Sequence, residues 1–136
     1  MSSGSFQVSV VTPEGAVLET EAISVVFPAY DGEYGVLPDH APLVTLLGIG
    51  ELRVTRAERG GTDRYYVDGG FAQFADGKLS LLTEQAIDLD ELDPEEPQRL
   101  LEEARAMKTP DHDSAAARRA MFERARVQKR LVGRTG

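Results

Sequence analysis

Two groups of carboxylates and histidines are the residues of this chain best suited to acid–base or metal chemistry. The first group lies between Asp31 and His40, and includes Glu33 and Asp39; the second is the run Asp111-His112-Asp113. A metal site needs several converging ligands, but neither group has the spacing of a histidine pair or of a calcium-binding loop. Aspartate and histidine are also ordinary turn residues. The sequence therefore favours two solvated loops, and no metal ligand is assigned.

An activated nucleophile also lacks a sequence signature. The chain contains no cysteine, no Gly-x-Ser-x-Gly motif and only two histidines. Asp39 with His40, or Asp39 with Glu33, could perform acid–base catalysis only in a sheltered cleft, and no such cleft is predicted. The Walker pattern is missing, and Gly48-Ile49-Gly50 does not open a helix that would bind phosphate. A small enzyme built on Asp39 and His40 stays a third hypothesis, and no catalytic residue is assigned.

The elements that would position these residues begin with short strands. Phe6, Val8 and Val10 alternate with polar residues, which is the period of a strand with one buried face. Asp76-Gly77 is a strong hairpin signal. Further strands are predicted at Ile23–Phe27, Leu43–Leu47, Glu51–Arg56, Tyr65–Val67, Phe71–Phe74 and Lys78–Thr83. Many short strands separated by turns predict a sandwich or flattened barrel.

The composition changes after Glu84, where alanine, leucine, glutamate and arginine dominate. Asp93, followed by prolines and acids, predicts a helix that starts between residues 94 and 97. Ser114 is expected to cap a second helix that ends near Leu131. The connection is short, so the two helices are predicted to be antiparallel. The expected organisation is a β domain over residues 1–86 and a helical hairpin over residues 87–136.

The inner stripe of the second helix is thin in large apolar side chains. At helical spacing it consists of Ala117, Met121, Ala125 and Gln128. A hairpin with so little apolar surface to bury is expected to pack weakly and to be able to move relative to the sandwich.

Charge is distributed unevenly along the 136 residues, whose net charge is −8. Residues 1–86 hold 5 basic and 12 acidic side chains, residues 87–113 hold 3 and 10, and residues 114–136 hold 7 and 1. A strongly acidic chain is a poor nucleic-acid binder, so nucleic acid is not an expected partner. The basic end is expected either to pair with the acidic segment before it or to bind an acidic partner.

Three segments together carry a family resemblance. The stretch Gly32–Leu43 resembles the G-E-x-G-[IV]-x-P-x-H-[AI]-P-L segment of the epsilon subunit of bacterial F-type ATP synthase. Gly69-Gly70-Phe71 is similar to the G-G-[FI] element of that family, and Val10–Gly15 resembles its opening. The match covers nearly the whole chain in the right order. It implies a ten-stranded β sandwich followed by an antiparallel two-helix hairpin.

The function that the resemblance implies is that of a non-catalytic rotor subunit in the central stalk. The sandwich would bind the gamma subunit and sit on the ring of c subunits, coupling proton flow to ATP synthesis at catalytic sites elsewhere. The implied ring contacts are Asp31, Glu33, Tyr34 and His40. The expected location is the cytoplasmic side of a bacterial plasma membrane, peripherally bound. Neither a signal sequence nor a run of eighteen apolar residues is visible, and the missing transit peptide favours bacteria over an organelle.

The hairpin of this family inhibits ATP hydrolysis by reaching the alpha/beta catalytic assembly. The implied inhibitory contacts with beta are the basic residues Arg118, Arg119, Arg126, Lys129 and Arg130. The alternative interpretation is a solvated helix whose charges pair with the acidic first helix. Charge alone does not separate the two.

Some family members also bind ATP on the folded hairpin, through [IL]-D-x-x-[RK]-A and arginines of the second helix. Here Leu101, Glu102 and Arg105 resemble that motif, with glutamate in place of aspartate, and Arg119 and Arg124 are the implied partners. Arginine suits phosphate oxygens because its guanidinium can donate two parallel hydrogen bonds. The segment between the helices is several residues shorter than in the family. ATP is thus an optional regulatory ligand, and a stand-alone nucleotide-sensing module is the alternative function.

Overall fold

A computed structural model describes residues 4–58 and 60–133. The chain divides into two compact units between Asp88 and Leu89. The first unit contains nine described strands, β1–β9, and the second contains a short 3₁₀ helix at Leu89–Glu91 and helices α1 (Glu96–Ala106) and α2 (His112–Val132). The strands are β1 Phe6–Thr12, β2 Gly15–Ala29, β3 Gly32–Val36, β4 Leu43–Leu46, β5 Ile49–Arg56, β6 Thr62–Asp68, β7 Phe71–Ala75, β8 Lys78–Leu82 and β9 Ala86–Asp88.

The strands form one continuous hydrogen-bonded sheet that folds over a shared core. Their order is β4-β7-β8-β1-β2-β5-β6-β9, and β3 pairs with the second half of β2. All pairings are antiparallel except that of β1 with β8. The 15-residue strand β2 joins the two halves, because its first part pairs with β1 and its second part with β5 and β3. This is the predicted sandwich architecture, although the described residues form nine strands instead of the ten that the resemblance implied.

The core is made by the inward-facing residues of both halves. The alternation of Phe6, Val8 and Val10 is confirmed, since all three are buried. Phe6 meets Phe74 edge to face with 5.6 Å between the ring centroids. The other buried core residues are Ala22, Val25, Phe27, Ala29, Val36, Leu47, Leu52, Val54, Tyr65, Val67, Ala72, Leu79 and Leu81.

Two glycines permit a close approach between the end of β2 and the start of β5. A Cβ atom on Gly48 would lie 2.9 Å from the carbonyl oxygen of Ala29, and one on Gly50 would lie 2.8 Å from the Cβ of Pro28. Any larger residue would push these segments apart. The predicted Asp76-Gly77 hairpin is also confirmed, because both residues have positive φ and join β7 to β8.

The two helices differ from the predicted ones mainly at their caps. Asp93 caps the turn before α1 by accepting the backbone N–H of Glu95 at 2.9 Å, and α1 itself begins at Glu96. The cap of α2 is Asp111, not Ser114: Ser114 is the third helical residue, and its N–H donates to Asp111 at 2.8 Å. This capping box lowers the pKa of the Asp111 carboxyl, chiefly through the Ser114 backbone N–H.

Candidate functional site

The His40 side chain makes two hydrogen bonds within the segment between β3 and β4. Its Nε2 atom lies 2.8 Å from the hydroxyl of Tyr34, and its Nδ1 atom lies 2.6 Å from the carbonyl oxygen of Ala41. A carbonyl only accepts, so Nδ1 carries the proton and, in the neutral ring, Nε2 accepts from the Tyr34 hydroxyl. The His40 ring also contacts the edges of Tyr34 and Phe74, while Tyr34 stacks on Phe27. Because both ring nitrogens are engaged, this geometry gives no support to an acid–base role for His40.

Strand β3 corrects the prediction of a loop between Asp31 and His40. Gly32–Val36 pairs with Val25–Ala29 of β2, with Glu33 opposite Pro28 and Tyr34 opposite Phe27. The tip between the two strands is therefore a tight hairpin that presents Asp31 to solvent next to Tyr30, whose exposed fraction is 70%. The four predicted ring contacts thus share one end of the sandwich, with His40 as the least exposed of them.

A charged network crosses the outer face of β3, β5 and β6. Arg53 donates from Nη1 to Glu33 at 3.3 Å and to Glu51 at 3.1 Å, and Arg64 donates to the other oxygen of Glu51 at 2.5 Å. Glu51 is only 4% exposed, so its carboxylate requires these partners. Burial alone lowers the pKa of Arg53, but its hydrogen bonds and charge interactions with Glu33 and Glu51 raise it above the ordinary value. This network was not predicted from the sequence.

An apolar patch on the outer face of β4, β7 and β8 was also missed. It consists of Val44, Leu46, Phe71 and Leu82. Leu46 lies directly opposite Phe71, and Phe71 lies opposite Leu82, so the three form one row across three strands. Val44 and Leu46 are 71% and 62% exposed on an edge strand. Clustered exposed apolar residues of this kind typically mark a protein interface.

A cleft of about 380 Å³ continues the apolar patch toward β1. Its lining residues include Val11, Pro13, Gly70, Phe71 and Leu82. Gly70 has φ of +99°, and a Cβ atom there would lie 1.8 Å from the carbonyl oxygen of Leu82. The cleft therefore has a shape that only glycine at this position allows, and it is wide enough to accept one large apolar side chain.

The basic residues of the hairpin have different surroundings. Arg118 donates from Nε to the carbonyl oxygen of Ala104 at 2.7 Å, near the end of α1, and its guanidinium lies 5.1 Å from the ring centre of Phe122. Arg126 pairs with Glu123 one turn earlier. Arg119, Lys129 and Arg130 are exposed, and within residues 4–58 and 60–133 no ion pair is formed by these three.

The predicted ATP-binding residues lie on both helices. Glu102 and Arg105 are exposed on α1, and Leu101 is half-buried. Arg119 follows Arg118, so it lies near the C-terminal end of α1, while Arg124 lies about 9 Å further along α2 than Arg118, at 1.5 Å per residue. Along the helix axis, Arg119 therefore lies closer than Arg124 to the Ala104 end of α1. Among the described residues, no group of three histidine, cysteine or acidic side chains is placed to hold a metal ion.

Comparison with known proteins gives consistent matches. Residues 5–89 match the family model described as the β-sandwich domain of the ATP synthase delta/epsilon chain. The ATP synthase epsilon chain of Rhodopirellula baltica is 43% identical over 121 residues, which cover 89% of this chain and 93% of the relative. The sodium-ion-specific ATP synthase epsilon chain of Propionigenium modestum is 38% identical over 100 residues, which cover 74% and 72% of the two chains.

A solved structure resembles the chain over most of its length. A chain of the Euglena gracilis mitochondrial ATP synthase, in a structure of its OSCP, F1 and c-ring parts, superposes with a TM-score of 0.80 at 28% identity. The superposition covers 95% of this chain and 82% of the Euglena chain. In the part of the chain that the structure describes, no helix is long and apolar enough to cross a membrane.

Proposed function

This chain belongs to the family of ATP synthase epsilon chains, and from that membership we propose that it is the central-stalk rotor subunit that links gamma to the c-ring. In this role the subunit is structural and carries no catalytic centre. Its task is to transmit rotation, so its surfaces must bind two partners firmly at once. The apolar patch is the observation that carries the proposal.

The apolar patch suits gamma, the partner that must stay bound through every turn. Its row of Leu46, Phe71 and Leu82 offers contiguous apolar area, and the adjacent cleft can receive an anchoring side chain. Buried aromatic and aliphatic anchors at the centre of an interface supply most of its affinity. Since β4 is an edge strand, a partner that covers the patch also protects the edge of the sheet.

The β2–β3 tip and the following segment suit the c-ring. Asp31, Glu33 and Tyr34 present polar and aromatic groups at one end of the sandwich, and His40 holds the segment through Tyr34. A surface that is ordered before docking loses little conformational entropy on binding. We place this chain on the cytoplasmic side of a bacterial plasma membrane, bound through the ring. The expected coupling ion is the proton. One relative is named as sodium-ion specific, so family membership alone does not identify the ion.

The hairpin is proposed to restrain ATP hydrolysis by contact with beta. Arg119, Lys129 and Arg130 are the exposed cations that an acidic segment of the alpha/beta assembly would meet first. Arg118 and Arg126 already hold partners within the hairpin and would have to exchange them. ATP is proposed as an optional ligand at Arg105 and Arg119; tight ATP binding by the isolated chain would favour the nucleotide-sensing alternative.

The first experiment tests the patch with a matched control. Leu46→Gln is expected to weaken binding of purified gamma by at least about tenfold, because it places an amide in an apolar contact. Ile23→Gln is the control: Ile23 is similarly apolar and partly exposed, but it lies near Phe6, about 17 Å along β1 from the Leu82 pairing. Equal gamma affinity for the two variants would contradict the assignment of the patch.

The second experiment tests the hairpin. The alpha, beta and gamma assembly is rebuilt with the full chain or with a chain that ends at Asp88, and ATP hydrolysis is measured. If the hairpin inhibits ATP hydrolysis, faster hydrolysis is expected with the shorter chain. Equal rates, with both chains bound to gamma, would refute the inhibitory role and leave the coupling role intact.

A further inference from the structure

We propose that Arg53 is a positioning residue that fixes the carboxylate of Glu33 for docking on the c-ring. The inference rests on the proposed ring contact of Glu33 and adds the residue on which that contact depends. Arg53 lies on β5, twenty positions from Glu33 in sequence, and the two side chains meet on the outer face of the sheet through a 3.3 Å contact between Nη1 and Oε2.

Arg53 can hold Glu33 in place because Arg53 is itself held. The same Nη1 atom also donates to Glu51 at 3.1 Å. The side chain of Glu51 is 3% exposed, and its second oxygen is bound by Arg64 at 2.5 Å. Charges therefore alternate along the series Arg64, Glu51, Arg53, Glu33, and the buried Glu51 anchors the series to the sheet.

Exposure decreases from Glu33 through Arg53 to the buried Glu51, and rises again at Arg64. The Glu33 side chain is 60% exposed and is available to a partner, while Arg53 is 33% exposed. A solvent-exposed ion pair on its own adds little to the stability of the fold. Its effect here is on the conformational freedom of one docking side chain, since a glutamate that is already ordered loses less entropy on binding.

The series also defines the partner chemistry. A ring loop that meets Glu33 meets a carboxylate with one oxygen already bonded to a guanidinium. The loop is therefore expected to supply a hydrogen-bond donor to the remaining lone pairs and to approach without placing a second cation against Arg53.

The test is a double-mutant cycle in the assembled complex. The alpha, beta and gamma assembly is rebuilt with this chain, either unchanged or carrying Glu33→Gln, Arg53→Gln or both substitutions. Each assembly is bound to ring-containing membranes, and its affinity for them is measured. Arg53→Gln is expected to weaken binding about three- to tenfold, the equivalent of freeing one long side chain. In the Glu33→Gln background, Arg53→Gln is expected to add no further loss, because its effect acts through Glu33.

Two further variants separate positioning from folding. Arg53→Lys keeps a donor cation and is expected to recover most of the affinity for the ring. If binding required the planar guanidinium itself, lysine would not restore the affinity. Arg56→Gln, which removes an arginine on the same strand that pairs with Asp63 at 3.2 Å, is the control and is expected to bind normally. Unfolding of the free chains is followed in parallel.

Each outcome decides the matter. Full affinity of Arg53→Gln, or losses that add in the double variant, would overturn the positioning role while leaving the Glu33 contact in place. Full affinity of Glu33→Gln would refute the ring contact itself, and the positioning role with it. A non-additive cycle with rescue by lysine supports both.

Discussion

Substitution of Gly70 by alanine is expected to damage the sandwich far more than the same change at its neighbour Gly69. The φ angle is +69° at Gly69 and +99° at Gly70, so a side chain at either position costs about 1–2 kcal/mol in backbone strain. Only at Gly70 does the new Cβ atom also overlap a backbone oxygen, that of Leu82 at 1.8 Å; nothing lies within 4 Å of the position at Gly69. A backbone oxygen cannot rotate away, so the overlap adds the upper part of the usual overpacking range, about 1–3 kcal/mol.

The expected losses in the free energy of unfolding are therefore about 1.5 kcal/mol for Gly69→Ala and about 4 kcal/mol for Gly70→Ala. The second is a large share of the 5–15 kcal/mol that stabilises a typical domain. Urea unfolding followed by tyrosine fluorescence measures the sandwich alone, because all four tyrosines precede residue 88 and the chain has no tryptophan. Losses that agree within about 0.5 kcal/mol would refute the reasoning, since strand β7 would then shift away from β8 without resistance.

Three further predictions concern side chains with defined partners. Arg118→Ala is expected to destabilise the hairpin by about 1 kcal/mol in urea unfolding at 222 nm, because a charge-assisted hydrogen bond is lost; Arg119→Ala, an exposed neighbour, is the control, and equal losses would contradict the claim. The depressed pKa of Asp111 means that its stabilisation of α2 is present above the unfolded value of about 3.9 and disappears as the pH falls through the lower folded value; Asp111→Asn should flatten this acid transition in circular dichroism, and an unchanged transition would assign it to other groups. His40→Ala and Tyr34→Phe are expected to speed amide exchange at residue 40 to a similar extent, because each removes one partner of the same hydrogen bond; an effect of only one of them would show that the bond does not hold the segment.

The sequence predicts those parts of the fold whose pattern is local. Strand β1 and the Asp76-Gly77 hairpin are correct because alternation and turn chemistry are properties of neighbouring residues. The prediction failed for β3, where Gly32 and Gly35 resemble a loop and only pairing with β2 makes the segment a strand. It also placed the start of β2 at Ile23, eight residues late. Leu18, Thr20 and Ala22 do alternate with the exposed Glu19 and Glu21, but a threonine and an alanine at inward positions give a weak apolar signal.

The candidate site divides in the same way. The motif around Glu33 and His40 was identified from the chain because its residues are consecutive. The partner of Glu33 was not, because Arg53 reaches it only through the pairing of β5 with β2 and of β2 with β3. One signal was present: Glu51 and Arg53 are two residues apart, so in a strand they share a face. The same rule applied to Val44 and Leu46 would have revealed two apolar residues on the outer face of β4.

Arg118 has two roles in the proposed mechanism, and they act in opposite directions. In the folded hairpin it binds the carbonyl oxygen of Ala104, so its removal should favour opening. In the proposed contact with beta, Arg118 is one of the cations, so its removal should weaken the inhibition of ATP hydrolysis. Hydrolysis rates alone would combine both effects, whereas Arg119 shares the proposed contact with beta but not the bond to Ala104. If Arg119→Ala releases hydrolysis and Arg118→Ala does not, the lost contact with beta is offset by easier opening, and the bond to Ala104 restrains the hairpin. If both variants release hydrolysis equally, the bond to Ala104 has no part in regulation.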